Sequence, residues 1–324
     1  MTDGRFYGCN TKRFDPLQCD RELPLGRTFY PAGFPLMLAT NSEEAMECAR
    51  QSWGEWNGDF DVRPLRISVV VDEGGAIAEA PAFRKHGHLL SFVSDSRNFA
   101  SADTVTGEAA IYVTQATVAD HTLFRWLFLD ALAYMMLTNL YVVSLHAACV
   151  ARDGEGLLLC GKSGAGKSTL AVAAARAGFT FLSDDCTWVR TGIDELIAIG
   201  KPHQVRLRGD AARHFPELAG FLARTLPNGK LSIEAPVSLL AGVRSARHAR
   251  ITKLVFLQRE DGVPPAISSV NPEDATAMLL ADLPSYGPEV NAAHERTVAQ
   301  LAALPARRLA YSLLDDAIRL LREI

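Results

Sequence analysis

The residues best placed to do chemistry form one run, Gly161-Lys162-Ser163-Gly164-Ala165-Gly166-Lys167-Ser168, with Thr169 behind it. The run fits G-x-x-x-x-G-K-[ST]. In that pattern glycines let successive backbone N–H groups turn toward a phosphate, the lysine brings charge to the β- and γ-phosphates, and the last hydroxyl faces a magnesium ion. The pattern carries meaning only between a strand and a helix. Glu155 to Cys160 is an apolar strand candidate, and Lys167 to Ala177, rich in alanine and leucine, is a helix candidate whose N-terminus adds its positive dipole end. Gly178 stands where a helix-ending glycine belongs. ATP with magnesium is the ligand this arrangement calls for.

A magnesium nucleotide site also needs a carboxylate at the end of a neighbouring strand. The candidate strand Phe179 to Ser183 ends in Asp184-Asp185, a helix and a turn beyond Lys167. Two adjacent acids permit a division of labour: one holds the metal, directly or through water, and the other takes a proton from an attacking hydroxyl. Asp194-Glu195 is a weaker acid pair, because it follows Thr191-Gly192-Ile193 rather than an apolar strand. Tyr141 to Arg152 reads as a strand that turns at Asp153-Gly154 and returns as Glu155 to Cys160, and Asp-Gly between apolar runs is a hairpin signal. That turn sets His146 opposite Gly161, on the strand face away from Leu145, which brings an imidazole to the phosphates. Neither the N-K-x-D of a GTPase nor the serine-glycine signature of an ABC ATPase is present.

Ser144-Leu145-His146-Ala147-Ala148, the hairpin, GKSGAGKST and LSDD together resemble the kinase core of HPr kinase/phosphorylase and its relatives, among them lasso-peptide serine kinases. The resemblance covers about residues 141 to 210 through specific motifs, and the rest to 324 more weakly. It implies a mixed-sheet fold like that of phosphoenolpyruvate carboxykinase, with His146 in the active site and Lys167 and Ser168 on phosphate and magnesium. It further implies Asp184 as the base and Asp185 as a metal ligand. The stretch Lys201 to Arg208 is similar to the one where relatives place an active-site arginine, which favours Arg206. Thr169 stands where HPr enzymes carry glutamate, which brings the chain nearer the lasso-peptide type.

The elements that must hold these residues divide into a smaller N-terminal α+β domain, residues 1–140, and a P-loop kinase domain of the α/β class, residues 141–324. In the first, residues 1–33 read as irregular. Strands are expected at Pro35 to Thr40, Leu65 to Val71, His88 to Val93 and Ala110 to Val113, with helices at Ser42 to Trp53 and Asp120 to Asn139. Asn41 and Glu44 have the spacing of a capping box. In the second, strands are expected at Val205 to Arg208 and Ile251 to Gln258, and helices at Asp210 to Thr225, Pro272 to Ala281 and Tyr311 to Glu323.

With 324 residues, 48% of them hydrophobic and 22% charged, the chain can bury a core. A net charge of −4 offers nothing to nucleic acid or an anionic membrane. The apolar stretch Leu123 to Val143 is broken by Arg125, Asp130 and Asn139, so a buried helix is expected rather than a membrane span. The N-terminal residues lack a signal-peptide core, and the six cysteines (Cys9, Cys19, Cys48, Cys149, Cys160, Cys186) lack zinc-site spacing, so a cytoplasmic protein with reduced thiols is expected. His86 and His88 have no third ligand nearby, and Arg244, Arg247, His248, Arg250 and Lys253 read as a solvated basic face. The expected activity is ATP- and magnesium-dependent transfer to a serine hydroxyl of a peptide or protein. The alternatives are a kinase for a small hydroxyl metabolite such as free serine, and a nucleotide-binding regulatory module without transfer. A homo-oligomer stays open.

Overall fold

The computed structural model describes residues 21–209, 214–225 and 231–324. They divide into two compact units between Met136 and Leu137. The first unit contains β1 (Leu25–Phe29), β2 (Leu36–Thr40), α1 (Glu43–Trp53), β3 (Leu65–Asp72), β4 (Ala82–His86), β5 (Leu89–Val93), β6 (Phe99–Asp103) and β7 (Glu108–Thr114). The short helices α2 (Gln115–Ala119) and α3 (His121–Phe124) follow, then a wide π-type turn over Arg125–Asp130 and α4 (Ala131–Leu140), within which the division falls. The strands form one seven-stranded sheet in the order β1-β2-β3-β7-β6-β5-β4.

Of the stretch expected to be irregular, residues 1–20 lie outside the described residues, and Leu25–Phe29 is instead a strand paired antiparallel with β2. The cap of α1 is Ser42, whose hydroxyl accepts from Ala45 N at 3.2 Å. Asn41 clamps the end of β3 instead, donating to Val71 O at 2.9 Å and accepting from Val71 N at 2.8 Å. Its amide satisfies a strand end, which leaves the capping role to the next residue.

The second unit opens with β8 (Val142–Leu145), β9 (Ala148–Arg152), β10 (Glu155–Cys160), α5 (Lys167–Arg176), β11 (Thr180–Ser183), β12 (Thr187–Arg190) and β13 (Ile197–Ile199). It continues with β14 (Gln204–Arg208), β15 (Arg224–Thr225), β16 (Leu231–Pro236), β17 (Arg244–Ser245), β18 (His248–Arg259), β19 (Ala266–Val270), α6 (Pro272–Leu280), α7 (Pro288–Ala302), β20 (Ala306–Tyr311) and α8 (Leu314–Glu323). The main sheet runs β17-β11-β9-β10-β18-β13-β12-β8, with β20 beside β18 and β19 beside β20. β10, β18 and β20 are parallel, β9 is antiparallel to both β10 and β11, and so β11 points the same way as β10. The sheet is mixed, and the C-terminal ends of β10, β11 and β18 share one edge.

Two apolar cores cover its faces. One gathers Leu170, Val172, Phe181, Val205, Leu207, Leu309 and Leu321 from α5, α8 and the strands. The other gathers Val143, Leu145, Leu158, Phe256, Leu279, Val298 and Leu301. A separate three-stranded sheet, β14-β16-β15, carries Val205 and Leu207 into the first core.

Three expected elements differ. The long strand from Tyr141 to Arg152 is two strands: Ala147 N donates to Leu145 O at 2.8 Å, a tight turn at His146 that sends β8 to pair with β12 while β9 pairs with β10. In place of a helix to Thr225 there is a single 3-10 turn, Pro216–Leu218, and the short strand β15, with residues 210–213 outside the described set. Tyr311 ends β20, and α8 begins only at Leu314.

Candidate active site

Pairing in the β9–β10 hairpin runs from Arg152 with Glu155 to Ala148 with Leu159, and the glycine-rich loop begins directly beyond it. Gly164 (φ +92) and Gly166 (φ +89) take left-handed backbone that other residues rarely adopt, and Gly166 opens α5. A Cβ on Gly166 would stand 2.6 Å from Tyr311 Oη. Tyr311, buried at the end of β20, donates that hydroxyl to Ala165 O at 2.8 Å and props the loop from beneath.

Lys167 is only 5% exposed and lies across its own loop, donating Nζ to Gly161 O at 2.6 Å and to Lys162 O at 3.4 Å. Ser168 Oγ donates to the backbone oxygen of Asp184 at 3.1 Å, which ties the first turn of α5 to the end of β11. Thr169 follows, partly buried, in the same turn. Lys162, Ser163 and Gly164 form the exposed crown of the loop, and Ala165 is half-buried.

The two acids occupy different surroundings. Asp184 is buried, its Oδ2 accepts from Arg206 N at 2.9 Å, and burial pushes its carboxyl up to about 7, with the Asp185 charge adding to the rise. Asp185 is 43% exposed and sets Oδ1 3.2 Å from His146 Nδ1. The turn at His146 delivers that imidazole to a cavity of about 700 Å³ that it lines together with Gly161 to Ala165.

Arg206 turns its guanidinium to Glu234 on β16, Nε to Oε1 at 2.6 Å. The arginine that reaches the loop is Arg208, whose Nη2 lies 3.3 Å from Ser163 Oγ and whose terminal nitrogens lie 3.8 Å from where a Gly164 Cβ would be. Among the described residues no carboxylate is ion-paired with Arg208. Alternation along β14 puts residues 206 and 208 on one face, so the strand pattern shows that both arginines share a face without showing which reaches the loop. Tyr311 left no signal in the sequence, because its partner is a backbone oxygen far away in the chain.

Other candidates stand apart. Arg244 donates to Gly178 O, and Arg250 pairs in register with Glu155, at the end of the sheet opposite the loop. Asp194 and Glu195 lie in the exposed connection from β12 to β13. His88 faces Asp103 at 4.0 Å. Among the described residues no three His, Cys, Asp or Glu gather to hold a metal ion, Cys48, Cys149, Cys160 and Cys186 are free thiols, and no helix is long and apolar enough to cross a membrane. Cys9 and Cys19 lie outside those residues.

No protein-family model matches the chain. Over 118 residues it is 29% identical to the HPr kinase/phosphorylase of Lachnoclostridium phytofermentans, a match that takes in 36% of this chain and 32% of that protein. The chain thus spans about a third of the length of the curated relative it matches. The solved HPr(Ser) kinase/phosphatase from Coxiella burnetii overlies 56% of this chain and 88% of its own at 13% identity, with a TM-score of 0.33. In sequence the chain resembles HPr kinase/phosphorylase, as its motifs do.

Proposed function

We propose that residues 141–324 form an ATP- and magnesium-dependent kinase domain that transfers the γ-phosphoryl group to a serine hydroxyl of a peptide or protein. One observation carries the reading: the lysine of a phosphate-binding loop, a buried carboxyl raised to about 7, a histidine–carboxylate pair and an arginine converge where β10 and β11 end. The resemblance to HPr kinase/phosphorylase supports the same class, and the relative's name supports a protein acceptor.

In this reading the loop amides and Lys167 bind the phosphates, with Thr169 behind them, and Arg208 adds charge from the crown of the loop. Arg206 stands beside the base: its N–H donates to Asp184 Oδ2, and its guanidinium ties β14 to β16. Asp184 takes the hydroxyl proton. A carboxyl titrating near neutrality is better matched to that task than an ordinary aspartate, because general-base efficiency peaks when pKa and operating pH meet. His146, its Nδ1 3.2 Å from Asp185 Oδ1, lines the cavity beside the loop. Ser168 and Asp185 would hold magnesium. Their hard oxygens suit an ion that keeps several waters and takes few protein ligands. Bound there, magnesium would neutralise phosphate charge. Nothing in this scheme needs nucleic acid or a lipid surface.

Incubation of the full chain with γ-labelled ATP, magnesium and either serine-containing peptides or free serine tests the proposal. Label on a peptide or protein serine is the expected result. Label on free serine alone would replace it with a metabolite kinase. Tight ATP binding with no labelled product would replace it with a regulatory nucleotide-binding module.

A further inference from the structure

We infer that the end of the second unit's main sheet opposite the glycine-rich loop is a docking surface for an acidic peptide segment, which on the kinase reading above belongs to the acceptor. Three arginines from three different elements meet there on one turn, the exit of α5. Arg322 on α8 donates Nη2 to Ala177 O at 2.9 Å, and Arg244 on β17 donates Nη2 to Gly178 O at 3.1 Å. The guanidinium of Arg152, at the end of β9, lies 5.5 Å from the centre of the Phe179 ring. Arg152 also donates Nη1 to Arg322 O at 2.9 Å, and Lys253 donates to Ile324 O, so the end of α8 is held in the same way. Carbonyls left over at a helix end, together with the negative end of its dipole, explain why cations gather here. Those carbonyls do not use up the donors. A guanidinium carries five N–H groups, each of the three arginines spends one on a carbonyl, and all three are exposed.

Neighbouring acids leave this charge standing. Among the described residues the ion pairs of the adjoining elements join Arg176 to Glu217 and Arg319 to Asp316 and Glu323, and no carboxylate is ion-paired with Arg152, Arg244 or Arg322. Glu155 lies in register between Arg152 and Arg250, which leaves that row of the sheet positive. A chain of net charge −4 therefore carries a compact cationic pole. Planar forks set close together suit carboxylates, which they take two oxygens at a time. A nucleic-acid strand would ask instead for a basic stripe with exposed rings to stack on, and the ring at this place, Phe179, is buried under Arg152. Six residues of β10 and ten of α5 separate the pole from the loop, a distance of about 15 to 20 Å. An extended peptide covers that in about six residues. An acceptor that uses both places therefore carries its acidic segment at least about six residues from the serine.

The test has a binding arm and a transfer arm, both on the full chain. The probes are fluorescein-labelled peptides with a run of about six glutamates, a glycine-alanine spacer of about two or about ten residues and one serine, beside a counterpart with glutamines in the run. The glutamate peptides should bind with an affinity that falls as salt rises, and the glutamine peptide should not bind. Combining Arg152→Gln, Arg244→Gln and Arg322→Gln should weaken the glutamate peptides by about tenfold, and each change alone by about twofold. Glutamine keeps a donor for the helix-end carbonyl, and the single variants read the same effect if the triple variant melts early. In the transfer arm KM should be about tenfold lower with the longer spacer than with the shorter one, and the triple variant should erase that difference while kcat and the KM for ATP stay unchanged. Binding that ignores salt or the three arginines overturns the docking surface, as does tighter binding of a short DNA single strand than of the glutamate peptides. A KM indifferent to the spacer, with binding intact, overturns the acceptor as its occupant. Phosphate transfer to no peptide, with binding intact, would remove the kinase reading and leave a surface for acidic peptides.

Discussion

Asp184 is sealed from water and held by the Arg206 N–H, whereas Asp185, the next residue, is 43% exposed and faces His146. In the proposed kinase reading this difference gives them separable tasks. Asp184→Asn keeps the size and the acceptor for Arg206 N but cannot take a proton, so transfer should fall by about 10²- to 10⁴-fold while MgATP still binds. In the parent, the rate should climb with pH toward a plateau above about 7, where the carboxyl has lost its proton, and a bound magnesium ion would draw that limb to lower pH. Asp185→Asn should raise the magnesium concentration needed for half-maximal rate. If Asp184→Asn loses MgATP affinity and Asp185→Asn alone loses transfer, the two roles are exchanged. Lys167→Ala should nearly abolish turnover and weaken ATP, with far-ultraviolet circular dichroism little changed, because its Nζ lies across the loop, donating to the carbonyls of Gly161 and Lys162. An undiminished rate in that variant removes the phosphate-binding assignment.

Several elements depart from their sequence patterns, and the departures are informative. The hairpin register was legible as far as Ala148, because Asp-Gly fixes a two-residue turn. The break at His146 was not, because no glycine or proline marks it and the turn is made by one backbone hydrogen bond. Helix α7, the longest among the described residues, shows no clear apolar period in the sequence because its buried face includes His294 and Thr297 beside Val298 and Leu301. Similarly, no element is expected from the sequence at Leu231–Pro236, yet this strand of the β14 sheet carries the Glu234 that takes Arg206. Contacts distant in sequence were the least legible of all. Tyr311 beneath Gly166 is the clearest case, and it yields a prediction for the β20–loop contact. Gly166→Ala should cost about 1 to 3 kcal/mol and weaken ATP, from left-handed backbone and from collision with Tyr311 Oη. Tyr311→Phe alone should cost about 1 kcal/mol for the lost hydrogen bond. Because phenylalanine lacks the colliding oxygen, the double variant should be more stable than the sum of the single losses allows, and a denaturant double-mutant cycle measures the difference. Strict additivity would mean that the hydroxyl is not what meets the new methyl group.

At the scale of the whole molecule the buried acid opposes the stability that the two cores of the second unit provide. An aspartate in the unfolded chain loses its proton near 3.8, and in the folded protein Asp184 keeps it until about 7. Between those values the native state binds more protons than the unfolded one, so this group's contribution is fully present below about pH 4 and is lost as pH rises through 7. The loss is on the order of a few kcal/mol, which is a sizeable share of a domain's net stability. Asparagine does not titrate and removes the penalty. Asp184→Asn should therefore melt at a higher temperature than the parent at pH 8, by several degrees, with the gap closing as pH falls toward 4. Thermal melts of the two proteins across that range decide the matter. A gap that widens toward low pH would show that the carboxylate is stabilised in the fold and that its proton affinity lies below the ordinary value. A constant gap would show that its pKa does not change on folding. In either case the base proposed at this position would lose the physical reason given for its strength.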